Sequence, residues 1–161
     1  MKISQKTRSG FSMVEMLMVL AIMGIIVTLT ISSLMAARPH AQLERGELVV
    51  AQTLNQARNL AISDELAVRV SLDPDANTMT IAQADPGTTD YVDIFGPYDL
   101  PDGIEFEADG ITFDGNNVQF TPRGSLLSGG EIEISNSAGE TTIFTGNLAT
   151  GKFPLTGGNL R

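Results

Sequence analysis

Glu15 is the only charged residue between Arg8 and Arg38, and the stretch from Met16 to Ala37 carries no charge at all. At about 1.5 Å per residue this stretch extends about 33 Å as a helix, close to the roughly 30 Å of a bilayer's hydrocarbon core. It reads as a single-pass membrane helix. Lys2, Lys6 and Arg8 precede it, against a weaker basic excess behind. That asymmetry sets the leader on the cytoplasmic side and the body of the chain outside the cytoplasm.

A carboxylate beside such a run needs a reason. Burying one in a bilayer costs about 2.5–3.5 kcal/mol on insertion scales. The positive end of a helix dipole tolerates an acid, so Glu15 taken alone fits a headgroup position. The boundary ahead of it changes the reading. A secretory signal has an apolar core of about 7–15 residues, then a small-residue cleavage site. Here the run is longer, nothing of the A-x-A kind follows it, and the sharp junction comes first, at Gly10-Phe11. Cleavage there creates an ammonium one helical turn before Glu15. In low dielectric, that ammonium on one chain and the carboxylate of a neighbour satisfy each other. The pairing fixes an axial register between packed helices. Glu15 is then an assembly residue, and Leu17, Val19, Ile22, Ile25, Ile26 and Leu29 pack helix to helix in a filament core.

Beyond Pro39, Leu43, Val50, Leu54, Ala57 and Ala61 step by seven, four, three and four, one face of a 3.6-residue helix. Glu44, Gln52, Gln56, Asn59 and Ser63 fall largely on the other sides. The pattern predicts one long helix from Phe11 to Ser63, bent near Arg38-Pro39 where a backbone donor is missing. From Leu66 the period becomes two. LAVRVSL and TMTIAQA, with DPDAN between them, read as strand, turn, strand. GITF, NVQF, EIEIS and TTIFTG read as further short strands between Gly, Asn and Pro breaks. Asp85 to Asp114 is very acidic and reads as a loose excursion across one sheet edge. The expected fold is α+β, with the second half of the helix packed on an antiparallel β domain of roughly six to eight strands. Its parts are a leader (1–10), a membrane and filament-core helix (11–38), its amphipathic continuation (39–64) and a periplasmic β domain (65–161).

Composition removes several function classes. The chain has no Cys, so disulfides, thiolate metal sites and cysteine nucleophiles are out. Without the leader, 7 basic residues face 19 acidic ones, the wrong balance for a general nucleic-acid surface. His40 is the only histidine. It sits beside Pro39, far in sequence from a Ser-Asp pair. Gly146 to Lys152 fits most of a phosphate-binding loop, but position 153 is Phe rather than Ser or Thr, and Pro154 follows instead of a helix. A glycine turn between two terminal strands is the better account. Asp73, Asp75 and Asn77 match the start of a calcium loop, but Thr78 stands where Gly is needed and Ala84 where Glu is needed. A hairpin turn uses the same residue types. Asp85, Asp90, Asp93, Asp99, Asp102 and Asp109 read as a solvated acidic edge rather than a calcium site. No cofactor, metal or catalytic residue is expected.

Gly10-Phe11-Ser12-Met13-Val14-Glu15-Met16-Leu17, after a basic leader and before an apolar run, resembles the class III signal of type IV pilins and type II secretion pseudopilins. The resemblance implies cleavage after Gly10 by a prepilin peptidase, N-methylation of Phe11 and an assembly role for Glu15. Major pilins carry a helix-breaking Pro part-way along this run; here that neighbourhood is Thr30-Ile31-Ser32-Ser33, and the Pro comes at Pro39. Downstream, LNQARNLAIS, VQFTPRGSL, the EIEIS strand and TGNLATGKF are similar to the GspH/FimT family of minor pseudopilins and minor pilins. Within it, Phe120, Pro122 and Gly124 match an F-x-P-x-G element, physically a strand ended by a turn.

The implied function is a structural minor pseudopilin of a type II secretion system, anchored in the inner membrane and then built into the pseudopilus with other pseudopilins. The alternative is a FimT-like minor pilin of a type IV pilus, used in fibre initiation or DNA uptake. Lys152 and Arg161 are a thin basic tail for DNA, so no strong nucleic-acid binding is expected. A single-pass anchored periplasmic binding module is a third reading. It needs neither cleavage at Gly10 nor Glu15.

Overall fold

The computed structural model describes residues 12–88 and 90–157, leaving out the side chains of 29–38 and 155–157. Gly10 and Phe11 therefore lie outside the described residues, as does the side chain of Leu29. The chain divides into two compact units, 1–38 and 39–161, with the boundary at Arg38/Pro39.

Helix α1 runs Met13–Asp64 with Pro39 inside it, matching the predicted span to within a residue or two at each end. In the first unit its side chains are exposed from Met13 to Val27, Met13 at 81% and Leu20 at 64%. Among the described residues, no helix is long and apolar enough to cross a membrane. The side chains of 29–38, the second half of the predicted span, are not among those described.

The second unit holds the core. Leu43, Val50, Leu54, Ala57 and Ala61 are all buried, so the stripe read from the sequence is the packed face of α1. Each fully buried Leu or Val contributes about 1.5–3 kcal/mol. Gly46 lies on the same face because a Cβ there would stand 2.9 Å from Ile104 Cγ2. Glu47 accepts a 2.6 Å hydrogen bond from buried Thr142.

Among the described residues eight strands follow: β1 (Val68–Asp73), β2 (Thr78–Ala84), β3 (Tyr91–Asp99), β4 (Ile104–Phe106), β5 (Asn117–Phe120), β6 (Glu131–Asn136), β7 (Thr141–Thr145) and β8 (Leu155–Gly157). They form two antiparallel sheets in the orders β3-β2-β1-β5 and β4-β6-β7-β8. Alternation works as predicted on β1, where Val68, Val70 and Leu72 are buried while Arg69, Ser71 and Asp73 are not. Inner residues of both sheets, Val70, Ile81, Phe120, Ile134 and Phe144 among them, join the helix stripe in one buried cluster.

Two expectations are corrected. GITF (110–113) is not a strand. It lies between 3-10 turns at Ala108–Gly110 and Asp114–Asn116. Ile111 and Phe113 do alternate into the core, and Thr112 exchanges bonds with Glu131 through its N–H and its hydroxyl, too little to make a ladder. The segment from Asp85 to Asp114 is not a loose excursion either. It contains β3 and β4. Between Ile81 and Ala82, and again between Met79 and Ile81, β3 carries one residue more than β2, so β3 is bulged at both places. Gly96 (φ +111) passes so close that a Cβ would sit 2.8 Å from the Met79 carbonyl oxygen.

Candidate functional site

Two places carry the sequence features that pointed to function: the head of α1, and the join between α1 and two turns of the β domain.

At the head, Ser12 accepts main-chain bonds from Glu15 (3.0 Å) and Met16 (3.2 Å) through its carbonyl. This closes the first turn and puts Glu15 at the positive end of the helix dipole. Glu15, Val19, Ile22 and Ile26 are spaced four, three and four, so they share one face. Leu17 and Ile25 fall off it. Leu29 continues the spacing in sequence. Val19, Ile22 and Ile26 are 44%, 58% and 57% exposed. An apolar surface of this extent calls for lipid or protein. The face thus combines one carboxylate with a ladder of aliphatic knobs. Thr28, a polar residue within the run, donates its hydroxyl to the Gly24 carbonyl at 2.7 Å, so it brings no unsatisfied group into an apolar setting.

At the join, Arg58 Nε donates to two carbonyls at once, Gly124 O and Thr150 O, each at 3.0 Å. Arg58 belongs to LNQARNLAIS, Gly124 to VQFTPRGSL and Thr150 to TGNLATGKF. Three stretches far apart in sequence therefore meet at one guanidinium. The F-x-P-x-G element is the turn expected: β5 ends at Phe120, and Gly124 takes φ +75 and donates to the Thr121 carbonyl. Gly151 (φ +62) packs against it so tightly that a Cβ would overlap the Gly124 carbonyl oxygen. Phe153 meets the Phe113 ring at a tilt and the Phe120 ring edge to face, with ring centroids 6.1 and 6.3 Å apart. Arg58 was not singled out from the sequence.

The remaining candidates are architectural. In the Gly146–Phe153 turn, Asn147 N donates to Lys152 O, Gly151 N to Asn147 O and Thr150 N to Asn147 Oδ1. The donors a phosphate would need are used internally, and the segment joins β7 to β8. Asp73 Oδ1 accepts from Asp75 N and Ala76 N, closing the β1–β2 hairpin. Asn77 takes φ +54 and holds Phe106 N through its side chain. Among the described residues, no three carboxylate or histidine side chains come together to hold a metal. His40 is exposed, 3.7 Å from both Glu44 and Glu140. Asn136 beside it bonds the Pro39 carbonyl at 3.0 Å and Glu140 at 2.7 Å. Lys152 is exposed, and Arg161 lies outside the described residues.

A long N-terminal helix whose second half packs on antiparallel sheets defines the pilin-like α+β class. The chain belongs to the GspH family: residues 49–149 match the model for type II transport protein GspH. Residues 5–31 also match the prokaryotic N-terminal methylation motif. Two solved structures of the minor pseudopilin EpsH from the type II secretion system of Vibrio cholerae are similar in fold. Both are 15% identical, with TM-scores of 0.55 and 0.56, covering 72% and 75% of this chain and 97% of theirs. The type IV minor pilin FimU of Pseudomonas aeruginosa is 12% identical with a TM-score of 0.56, covering 74% of this chain and 90% of that one. No curated protein sequence matches.

Proposed function

We propose that this chain is a structural minor pseudopilin of a type II secretion system, without substrate turnover. The observation that carries the reading is the pairing, in one chain, of a methylation motif over residues 5–31 with a GspH match over 49–149. On this reading a prepilin peptidase cuts between Gly10 and Phe11, and Phe11 is N-methylated. The chain sits in the inner membrane as a single pass, leader inside and residues 65–161 in the periplasm, before entering the pseudopilus. Glu15 pairs with the amino terminus of a neighbouring subunit. Val19, Ile22, Ile26 and Leu29 form the seam on Glu15's face, with Leu17 and Ile25 meeting further helices.

The test is the intact mass and N-terminal sequence of the full chain produced with and without a prepilin peptidase. The expected product begins at Phe11 and is one methyl group heavier than its sequence. A chain that starts at Met1 in both cases sinks the proposal and leaves the anchored binding module. Glu15→Leu is expected to leave processing intact and to abolish incorporation into filaments, scored by cross-linking to co-expressed pseudopilins.

The likeness to FimU, equal in TM-score to that to EpsH, favours a type IV minor pilin as the second reading. Rescue of secretion in a strain lacking its H-type pseudopilin supports the first. Rescue of piliation alone supports the second.

A further inference from the structure

Residues 64–114 hold thirteen of the 19 acids and one base, Arg69. Among the described residues, strand β3 runs through this segment as the outermost strand of its sheet, bonded to β2 alone. It is not a blunt, wholly polar edge. Val92 is 55% exposed and Phe95 44%, with exposed Asp93 and Asp99 on the same strand and exposed Asp90 just before it. Asp90 accepts a main-chain bond from Asp85 at 3.0 Å through its carbonyl. The antiparallel alternation starting there turns the main-chain groups of Tyr91 and Asp93 away from β2. β3 bulges between Asp93 and Phe95, where it has one residue more than β2, so the regular alternation ends at Asp93; Pro97, two residues past Phe95, has no N–H to offer. The start of the edge is fixed in place: the Arg69 guanidinium lies over the Tyr91 ring, 4.4 Å from its centre. Arg69 Nε is buried without a hydrogen-bond partner, so this stack and its packing hold it.

An open strand edge with apolar side chains is a template for another strand. A second copy is a poor occupant, because pairing would set Asp90, Asp93 and Asp99 against the partner's own acids. The charge selects the opposite sign. We propose that the Tyr91–Phe95 edge of β3 takes an extended basic segment of a partner polypeptide as an added strand. Val92 and Phe95 contact its apolar residues, and the flanking aspartates face its Lys or Arg side chains. The surface is independent of processing at Gly10 and of which machine the chain serves.

The test uses the unprocessed full chain in detergent micelles and a fluorescein-labelled peptide of three Lys-Val repeats. Two comparison peptides carry three Glu-Val repeats, or the basic sequence with its central Val replaced by Pro. A saturable anisotropy rise is expected with the basic peptide alone, with slowed amide exchange at Tyr91 and Asp93. Asp93→Lys and Phe95→Ser are each expected to weaken binding at least tenfold. Glu105→Lys, the same charge change on β4 of the other sheet, is expected to weaken it less than twofold. Val92→Thr, which keeps strand propensity, stands in if Phe95→Ser unfolds the domain. The proposal is overturned by absence of saturable binding, or by equal binding of the Pro-interrupted peptide. It is also overturned if Glu105→Lys matches Asp93→Lys, which would mean bulk charge attraction, or if an edge-paired dimer of the chain itself is found by sedimentation.

Discussion

Arg58 shares one N–H between two carbonyls, those of Gly124 and Thr150. Arg58→Ala leaves both without that donor and is expected to cost about 1–3 kcal/mol, measured as a lower denaturation midpoint. Gly151→Ala is expected to be worse than a typical surface change. It adds a side chain at φ +62 and drives its Cβ into the Gly124 carbonyl. Arg58 was not legible in the sequence, where it looks like any half-exposed base on a helix. Its partners are 66 and 92 residues away, and only the assembled fold brings them together. Asp73 was legible because its partners are two and three residues on, so local turn chemistry settles it.

At the scale of elements, the buried face of α1 was readable because burial on a helix repeats every 3.6 residues and nothing competes with that period. Leu54→Ala is expected to cost about 2–5 kcal/mol. Leu48→Ala on the exposed side of the same helix is expected to stay within about 0.5 kcal/mol, and urea unfolding of the two variants checks the contrast. β3 was hidden for an equally physical reason. Its half-buried residues, Tyr91, Ile94 and Tyr98, fall out of a period of two across two bulges, and its Asp, Gly and Pro are poor strand formers. Conversely, GITF has the alternation of a strand without the partners of one. On the first half of α1 the helical spacing puts Glu15, Val19, Ile22 and Ile26 on one face and Leu17 and Ile25 on others.

For the whole molecule, net charge is −9 with His neutral, and among the described residues the close contacts between a basic side chain and an acid are those of His40, 3.7 Å from Glu44 and Glu140. The acids are therefore mostly solvated and mutually repelling. Adding about 0.15 M salt shortens the screening length to about 8 Å and is expected to raise Tm; a fall in Tm would mean that attractive pairs dominate instead. The bonds of Arg58 also set an order of events in synthesis. A ribosome delivers the helix first, the Gly124 turn much later, and the Thr150 turn later still. Until the Thr150 turn emerges, the guanidinium has the Gly124 carbonyl but not its second acceptor. The tie between α1 and the β domain is thus completed in two steps, in the order in which the two turns are made.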